Sequence, residues 1–368
     1  MLADRLRTSF VMICVVAGLL FLDACYSPSH LAGLTSHSQS TAGLYLLPLL
    51  LFFALGTAWE LAGLLRGAGF PVHRLVALMG AGIIAASPGV VPIWNSIALA
   101  LPGMVGFYPP GCPIGQMGWI ALATTACVSM LFLLEMKNFS ADSDSREVLS
   151  RLSAGTMVLV YVGIPMALLV AMRSLGNGNW GLAALLTMIA TTKSTDAGAY
   201  FSGKAFGKRK LIPRLSPGKT WEGAIGGVIV ATIVAAICLA FLFPAIVGSG
   251  TNAVSAEPDA SPTVFGGTAV GEIDSLDSKE LASRDLASQN LKAQSAPTEL
   301  PPLALALVLG PSLAILGTLG DLAQSLVKRA CQAKDSGNLL PGLGGVWDVS
   351  DSLIFASFPA FLCFVAVA

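Results

Sequence analysis

The amino-acid sequence predicts an all-α fold, a polytopic integral membrane protein with about nine transmembrane helices. Hydrophobic residues make up 54% of the 368 residues and charged residues only 11%, whereas a soluble globular protein carries about 25% charged residues. The apolar residues also fall into runs of about 20, the length of helix that crosses the hydrocarbon core of a bilayer. The predicted spans lie at about 9–26, 45–65, 75–92, 118–136, 155–173, 180–201, 223–248, 303–327 and 349–368.

The first and third spans are the least regular. Residues 1–26 combine a basic start, an apolar core and Cys25, a pattern shared with cleaved signal peptides and lipoprotein signals. Asp23 fits poorly in a lipobox, so we predict a retained transmembrane helix. Pro88 and Pro92 interrupt the third span, and residues 93–110 could form a re-entrant or additional span. The seven cysteines show no paired spacing, so neither a disulfide framework nor a zinc site is predicted.

The distribution of positive charge predicts that the N-terminus is cytoplasmic. With that orientation, 16 of the 21 Lys and Arg residues fall on cytoplasmic loops, and the outer loops 27–44 and 92–117 contain none. This bias is the positive-inside pattern of membrane proteins.

Composition divides the chain into five regions. Residues 249–302 are rich in Ser, Ala, Asp and Glu and contain one aromatic residue, which is typical of disorder. The regions are N-terminal transmembrane helices at 1–110, middle transmembrane helices at 111–202, a basic cytoplasmic loop with one transmembrane helix at 203–248, a disordered extracytoplasmic linker at 249–302, and C-terminal transmembrane helices at 303–368.

Charged residues concentrate near the C-terminus. The stretch Gly320–Ser352 holds four carboxylates and three basic residues. Unpaired charges near a bilayer centre are costly, so this cluster indicates a polar cavity that binds ions or substrate. If the first part is helical, Asp321, Ser325 and Lys328 share one face.

A helix break follows within the same stretch. The run 341–345 contains one proline and three glycines, which would end the helix and expose backbone that phosphates can approach closely. Asp348 and Asp351 follow at i and i+3, so both can face the same cavity.

A basic loop forms a second candidate region. Six cations lie between Lys204 and Lys219 and would by themselves attract anionic lipid headgroups. Ser216 can cap a helix with Pro217 in its first turn, and a helix N-terminus beside Lys219 is a phosphate site. Glu222 could hold a metal or orient Lys219.

Four further charged residues lie in or near apolar spans. Lys193 and Asp196 are spaced i and i+3, and either neutralise each other or belong to a functional site. Glu60 and Glu135 lie near cytoplasmic helix ends and are predicted to be interfacial. The three histidines fall on predicted loops, so no histidine base or triad is predicted.

The C-terminal stretch, GDLAQSLVKRACQAKDSGNLLPGLGGVWDVSDS, resembles the signature of the phosphatidate cytidylyltransferases. That signature runs roughly S-x-x-K-R-x4-K-D-x-G-x3-P-G-H-G-G-x-x-D-R-x-D. Two positions depart, because Leu343 replaces the family histidine and Val349 replaces the arginine. A second block, DAGAYFSGKAFGKRKLIPRLSPGKTWEGAIGG from Asp196, is similar to another family region. The matching signature residues are Ser325, Lys328, Arg329, Lys334, Asp335, Gly337, Pro341, Gly342, Gly344, Gly345, Asp348 and Asp351.

The resemblance implies transfer of a cytidylyl group from CTP to phosphatidate, giving CDP-diacylglycerol and pyrophosphate. It implies Mg²⁺ as cofactor, with a second metal possible in a two-metal clamp. The implied metal ligands are Asp321 and Asp348. The implied catalytic residues are Lys328, Arg329, Lys334, Asp335 and Asp351. The implied substrate-binding residues are Asp196, Ser216, Lys219, Thr220, Glu222, Ser325, Gly342, Gly344 and Gly345.

The resemblance also implies a homodimer in the inner (plasma) membrane, with membrane lipid as partner, no nucleic acid, and an active site on the cytoplasmic side. Two other functions stay open at this point. A CTP-dependent membrane kinase for a lipid or polyprenol would need the same acids and bases. A polytopic transporter would also carry intramembrane charges and glycine breaks, although the sequence shows no inverted repeat.

Overall fold

The protein is almost entirely helical, as the sequence predicts, with one small two-stranded sheet. The computed structural model describes residues 14–24, 43–101, 103–109, 112, 114–139, 144–176, 179–251, 302–340 and 344–368. Its helices are α1 (Cys14–Ala24), α2 (Leu47–Gly67), α3 (Arg74–Ala86), α4 (Val90–Ala100), α5 (Gly115–Asn138), α6 (Ser145–Val158), α7 (Ile164–Arg173), α8 (Trp180–Phe206), α9 (Trp221–Ile237), α10 (Phe243–Thr251), α11 (Pro302–Ala330) and α12 (Val346–Val365). Strands β1 (Lys210–Ile212) and β2 (Ser216–Thr220) pair antiparallel between α8 and α9.

Seven helical segments of the described residues are long and apolar enough to cross a membrane, which confirms an all-α polytopic membrane architecture. They are Leu47–Gly67, Arg74–Ala98, Gly115–Asn138, Ser145–Arg173, Trp221–Val247, Leu303–Ala330 and Val346–Val365. Two predicted spans are not among the seven. The first is described only over the short helix α1, and the sixth forms the long helix α8, which carries Lys193 and Asp196. The total of nine and the cytoplasmic N-terminus therefore stay predictions. The predicted linker 249–302 lies almost wholly outside the described residues.

Prolines lie within the spans without ending them. Pro88 lies in a 3₁₀ turn, Ser87–Gly89, that joins α3 directly to α4. Short π-helical segments precede Pro165 and Pro244, each of which lacks the amide proton that a regular α-helix would use. Residues 93–100 continue α4, so the structure shows no separate span between Trp94 and Ala100.

A buried ion pair joins α1 to α7. Arg173 Nε donates to Asp23 Oδ2 at 2.5 Å, and both side chains are at most 1% exposed. Removing one partner of such a pair would leave a buried charge without its counter-ion, which is strongly destabilising. Asp23, the residue that fits a lipobox poorly, therefore has a structural role in the helical bundle.

Small residues let α8, α9 and α11 pack closely, and α12 lies against α11 and α8. A Cβ atom added at Gly310 of α11 would lie 2.5 Å from Thr232 Cα of α9. A Cβ atom at Gly227 of α9 would lie 3.1 Å from the Thr195 carbonyl oxygen of α8. Small residues at helix crossings are the usual means of close approach inside membranes. These four helices carry Lys193, Asp196, Glu222, Asp321, Lys328, Arg329, Asp348 and Asp351, and Lys219 lies in β2, just before α9.

We expect Gly310→Ala to destabilise the protein, because its methyl group would collide with the backbone of α9. Overpacking of this kind costs about 1–3 kcal/mol. Gly67→Ala is the matched control, since a Cβ there meets nothing within 4 Å. Thermal unfolding in detergent should show a lower midpoint for Gly310→Ala alone, and equal midpoints would contradict the packing described.

Candidate active site

The two sequence blocks meet at an ion pair between Lys219 and Asp321. Lys219 lies near the end of β2 and Asp321 lies in α11, and the Nζ–Oδ2 distance is 2.6 Å. Lys219 Nζ also donates to the Thr318 carbonyl oxygen at 3.4 Å. The two side chains are 25% and 32% exposed, so a ligand entering from outside can reach both. The pair therefore places the end of the basic loop in contact with the C-terminal charged cluster.

The local structure before α9 differs from the predicted helix cap. Ser216 and Pro217 lie in strand β2, and the helix begins only at Trp221. Thr220 is the N-cap, and its Oγ1 accepts a hydrogen bond from Gly223 N at 3.1 Å. A β-branched residue in extended backbone suits this position, whereas Gly218 disfavours a helix starting earlier. The prediction that Ser216 caps the helix was therefore wrong, and its role in substrate binding stays a prediction.

Glu222 fastens the basic loop to the start of α9. Its carboxylate accepts hydrogen bonds from the backbone amides of Lys208 at 3.1 Å and Arg209 at 3.2 Å. In this structure Lys219 pairs with Asp321, and Glu222 organises the loop backbone instead of orienting Lys219.

Asp348 is the centre of a second cluster, which joins α11 to the start of α12. Its Oδ1 accepts from Lys328 Nζ at 3.0 Å and from Gln324 Nε2 at 2.9 Å. Its Oδ2 accepts from Gly345 N at 3.0 Å. Gln324 lies one residue before the signature, and sequence reasoning missed it. The sequence signal for Gln324 would have been its position four residues before Lys328, which places both side chains on the same face of α11.

Three carboxylates from different helices share the space beside Lys219. Asp196 of α8, Asp321 of α11 and Asp351 of α12 are close enough to interact electrostatically. Lys193 lies among them, with its Nζ 3.9 Å from Asp351 Oδ1. The structure thus brings together Asp196 and Asp351 as the resemblance implies.

Lys193 is a site residue that the family pattern did not include. Its ammonium donates to the Val349 carbonyl oxygen at 2.8 Å and to Ser352 Oγ at 2.9 Å. It therefore supplies a positive charge beside α12, although Val349 stands where the family signature has an arginine. A lysine within an apolar span, three residues before Asp196, was the sequence signal.

Several residues of the signature lie apart from these clusters. The side chains of Arg329, Lys334 and Asp335 are exposed and make no hydrogen bond or ion pair with other described residues. Ser325 is partly buried. Gly344 has a positive φ of 97° and pairs with Leu340 in an isolated antiparallel bridge. Gly342 and Leu343 lie outside the described residues, so their predicted roles stay predictions.

Two carboxylates predicted to be interfacial are buried. Glu60 is 4% exposed and bonds to the start of α12. Glu135 is 3% exposed, and its Oε2 lies 3.0 Å from Arg151 Nε. Its Oε1 is 3.1 Å from His73 Nε2. Burial against neighbouring helices does not contradict a position near the membrane interface, so that part of the prediction stays a prediction.

Comparisons with known proteins find relatives in the family that the two sequence blocks resemble. The sequence model of the cytidylyltransferase family matches residues 3–368. The chain is 35% identical over 184 residues to the phosphatidate cytidylyltransferase of Haemophilus influenzae, covering 50% of this chain and 46% of that protein. It is 32% identical over 201 residues to that of Bacillus subtilis, covering 54% and 53%. It is 31% identical over 263 residues to that of Pseudomonas aeruginosa, covering 67% and 77%. The chain thus spans about half the length of the first two curated relatives.

We expect Lys219 and Asp321 to be energetically coupled. In a double-mutant cycle of Lys219→Met and Asp321→Asn, the loss of unfolding free energy should be smaller for the double variant than the sum of the single losses. The coupling should reach up to about 1 kcal/mol, as for partly exposed ion pairs. The control cycle combines Lys204→Met with Asp321→Asn, because Lys204 lies over the Tyr200 ring, 6.0 Å from its centroid, whereas Asp321 pairs with Lys219. The losses in this control cycle should be additive. Additive losses for Lys219 and Asp321 would contradict a direct contact.

Proposed function

The chain belongs to the cytidylyltransferase family, and we propose that it is a phosphatidate cytidylyltransferase of phospholipid biosynthesis. Its substrates would be CTP and phosphatidate, and its products CDP-diacylglycerol and pyrophosphate. The observation that carries this proposal is the Lys219–Asp321 contact. It joins two blocks that lie about a hundred residues apart in the sequence, each of which resembles the same family.

In the proposed reaction, a phosphate oxygen of phosphatidate attacks the α-phosphorus of CTP. A bond forms between these two atoms, the bond from the α-phosphorus to the oxygen bridging to the β-phosphorus breaks, and pyrophosphate carries away the bonding electron pair. A phosphate monoester has its second ionisation near pH 6, so the attacking oxygen needs no protein base at neutral pH. The absence of a histidine from the described clusters is therefore compatible with this chemistry.

Cationic side chains would provide most of the catalysis, because phosphoryl transfer needs positioning and charge stabilisation more than covalent chemistry. Lys219 and Lys193 stand among the carboxylates of the cavity, and Lys328 is at Asp348. Arg329 and Lys334 are exposed, so they are available to phosphates arriving from the aqueous side.

The acidic residues fit a magnesium site that the substrate completes. Among the described residues, no group of three His, Cys, Asp or Glu side chains could hold a metal ion alone. Mg²⁺ commonly binds one or two carboxylates and takes its remaining ligands from water and phosphates. Asp321 and Asp348 would hold the ion, with Asp351 nearby, and the ion would neutralise charge on the phosphates. Lys328, whose Nζ donates to Asp348 Oδ1 at 3.0 Å, would stand beside the ion site and could also contact a phosphate.

We further propose that the site opens to the cytoplasm from the inner (plasma) membrane, where the multi-pass helices lie. The cations of the basic loop follow the positive-inside pattern and support this orientation. CTP would enter from the aqueous side and phosphatidate from the bilayer. A homodimer rests on the resemblance alone.

Two radiolabelled forms of CTP distinguish this function from a CTP-dependent kinase. Purified protein with phosphatidate and Mg²⁺ should transfer label from [α-³²P]CTP, but not from [γ-³²P]CTP, into the lipid fraction. The γ-label should appear in pyrophosphate. In a parallel assay with a lipid alcohol or a polyprenol as acceptor, label from [γ-³²P]CTP in the lipid would instead show a kinase, and no consumption of CTP in either assay would contradict both activities.

We expect Asp321→Asn and Asp348→Asn each to lower turnover of CTP at least about a hundredfold, the loss typical of a preorganised electrostatic group. Each change removes a negative charge and keeps the side-chain shape. Asp144→Asn is the control, because Asp144 caps the exposed start of α6 and asparagine caps a helix equally well. Near-normal turnover of both site variants at saturating Mg²⁺ would contradict the metal assignment.

A further inference from the structure

Glu60 connects the N-terminal half of the chain to the signature. It lies on α2, and its carboxylate is only 4% exposed. Oε1 accepts a hydrogen bond from Val346 N at 2.9 Å, and Oε2 accepts from Trp347 N at 2.9 Å. Oε2 also accepts from Ser336 Oγ at 3.0 Å. One buried carboxylate therefore accepts hydrogen bonds from three donors. One donor, Ser336, belongs to the loop that joins α11 to α12, and the other two are amides in the first turn of α12.

The first turn of α12 needs such a partner. The first amides of a helix have no acceptor within the helix, and a negative charge beside them is stabilising. The N-cap residue is Gly345, which has no side chain to accept a hydrogen bond, and the one backbone amide that donates to Asp348 is that of Gly345 itself. Glu60 supplies from a neighbouring helix the acceptors that the N-cap lacks.

Two glycines of the loop make room for this carboxylate. A Cβ atom at Gly337 would lie 2.5 Å from Glu60 Oε1, and one at Gly345 would collide with both Glu60 Oε2 and Ser336 Oγ. A side chain at either position would push the carboxylate away from the amides. Gly345 was predicted to approach substrate phosphates, and in the structure its bare backbone faces Glu60.

The start of α12, which Glu60 contacts, carries two acidic residues of the candidate site. Asp348 lies two residues after Val346, and Asp351 lies one helical turn after Trp347. A second contact from α2, between Thr57 Oγ1 and Ser350 Oγ at 2.8 Å, fixes the same turn from the same side. A displacement of about 1 Å in such a group can lower a rate a hundredfold.

We propose that Glu60 is a positioning residue that holds the start of α12, and with it Asp348 and Asp351, in the geometry needed for cytidylyl transfer. The role in transfer rests on the proposed function. The contact between Glu60 and the start of α12 is independent of the proposed function. The contact is tested by hydrogen exchange, and the role in transfer is tested by kinetics.

The test variant is Glu60→Gln, in which the amide nitrogen cannot accept the hydrogen bonds that one carboxylate oxygen now accepts. Loss of a charge-assisted hydrogen bond should raise amide hydrogen exchange of segment 336–348 by about tenfold or more, measured by mass spectrometry on the full-length protein in nanodiscs. The kcat for CTP should fall by about tenfold or more, with KM for CTP within about threefold of wild type, because the displaced groups act in the transition state.

Glu135→Gln is the matched control. Glu135 is equally buried and paired with Arg151, but it contacts neither the loop nor α12. This variant should lose stability while exchange in 336–348 and kcat stay near wild type. Equal falls in kcat for both variants, or wild-type exchange in Glu60→Gln, would overturn the proposal.

Two further outcomes are decided in the same experiment. If Glu60→Gln does not fold, Ser336→Ala removes one of the three donors and should raise exchange of the same segment several-fold; unchanged exchange would overturn the proposal. If wild-type protein consumes no CTP, the proposed function fails, and the exchange measurement still decides whether Glu60 holds α12.

Discussion

The cost of burying charge among apolar helices is the constraint on which the rest of this structure depends. A charged side chain in such a bundle is stable when an opposite charge or several hydrogen bonds compensate for lost water. The compensating groups here lie on different helices. Asp23 pairs with Arg173 across α1 and α7, and Asp348 pairs with Lys328 across α12 and α11. Each pair therefore fixes which helices are neighbours as well as how the charge is neutralised.

Close packing and ion pairing reinforce each other in the C-terminal half. Gly310 and Gly227 let α11 and α8 approach the backbone of α9, and this approach brings Lys219, just before α9, within 2.6 Å of Asp321. Lipid gives little hydrophobic drive for helix association, so packing and polar contacts must supply it. The same interactions that hold the bundle together thus also bring these charged side chains together.

The sequence predicted the helices better than the contacts between the charged side chains. Runs of about 20 apolar residues are a strong signal, and every described one is helical. The i and i+7 spacing of Asp321 and Lys328 predicted that they share one face of α11, where Lys328 contacts Asp348 and Asp321 contacts Lys219. The cap at Ser216 was wrong, because the competition between Ser216 and Thr220 depends on the pairing of β2 with β1. Glu60 could not be assigned, because its partners lie about 280 residues away and two of them are backbone amides, which carry no sequence signature.

The position of Glu60 gives the N-terminal half a physical reason to be attached to the site. Most charged residues of the cavity come from α8, α11 and α12, and the N-terminal helices add little to them. A helix whose N-cap is Gly345, however, has no side chain with which to cap itself, and the glycine is required because a side chain would collide with the carboxylate. Phosphates are best stabilised by groups fixed before the substrate arrives, since reorganisation during the reaction raises the barrier. The hydrogen bonds from α2 to the first turn of α12 therefore meet two needs at once: they satisfy buried amides, and they preorganise the acids that follow.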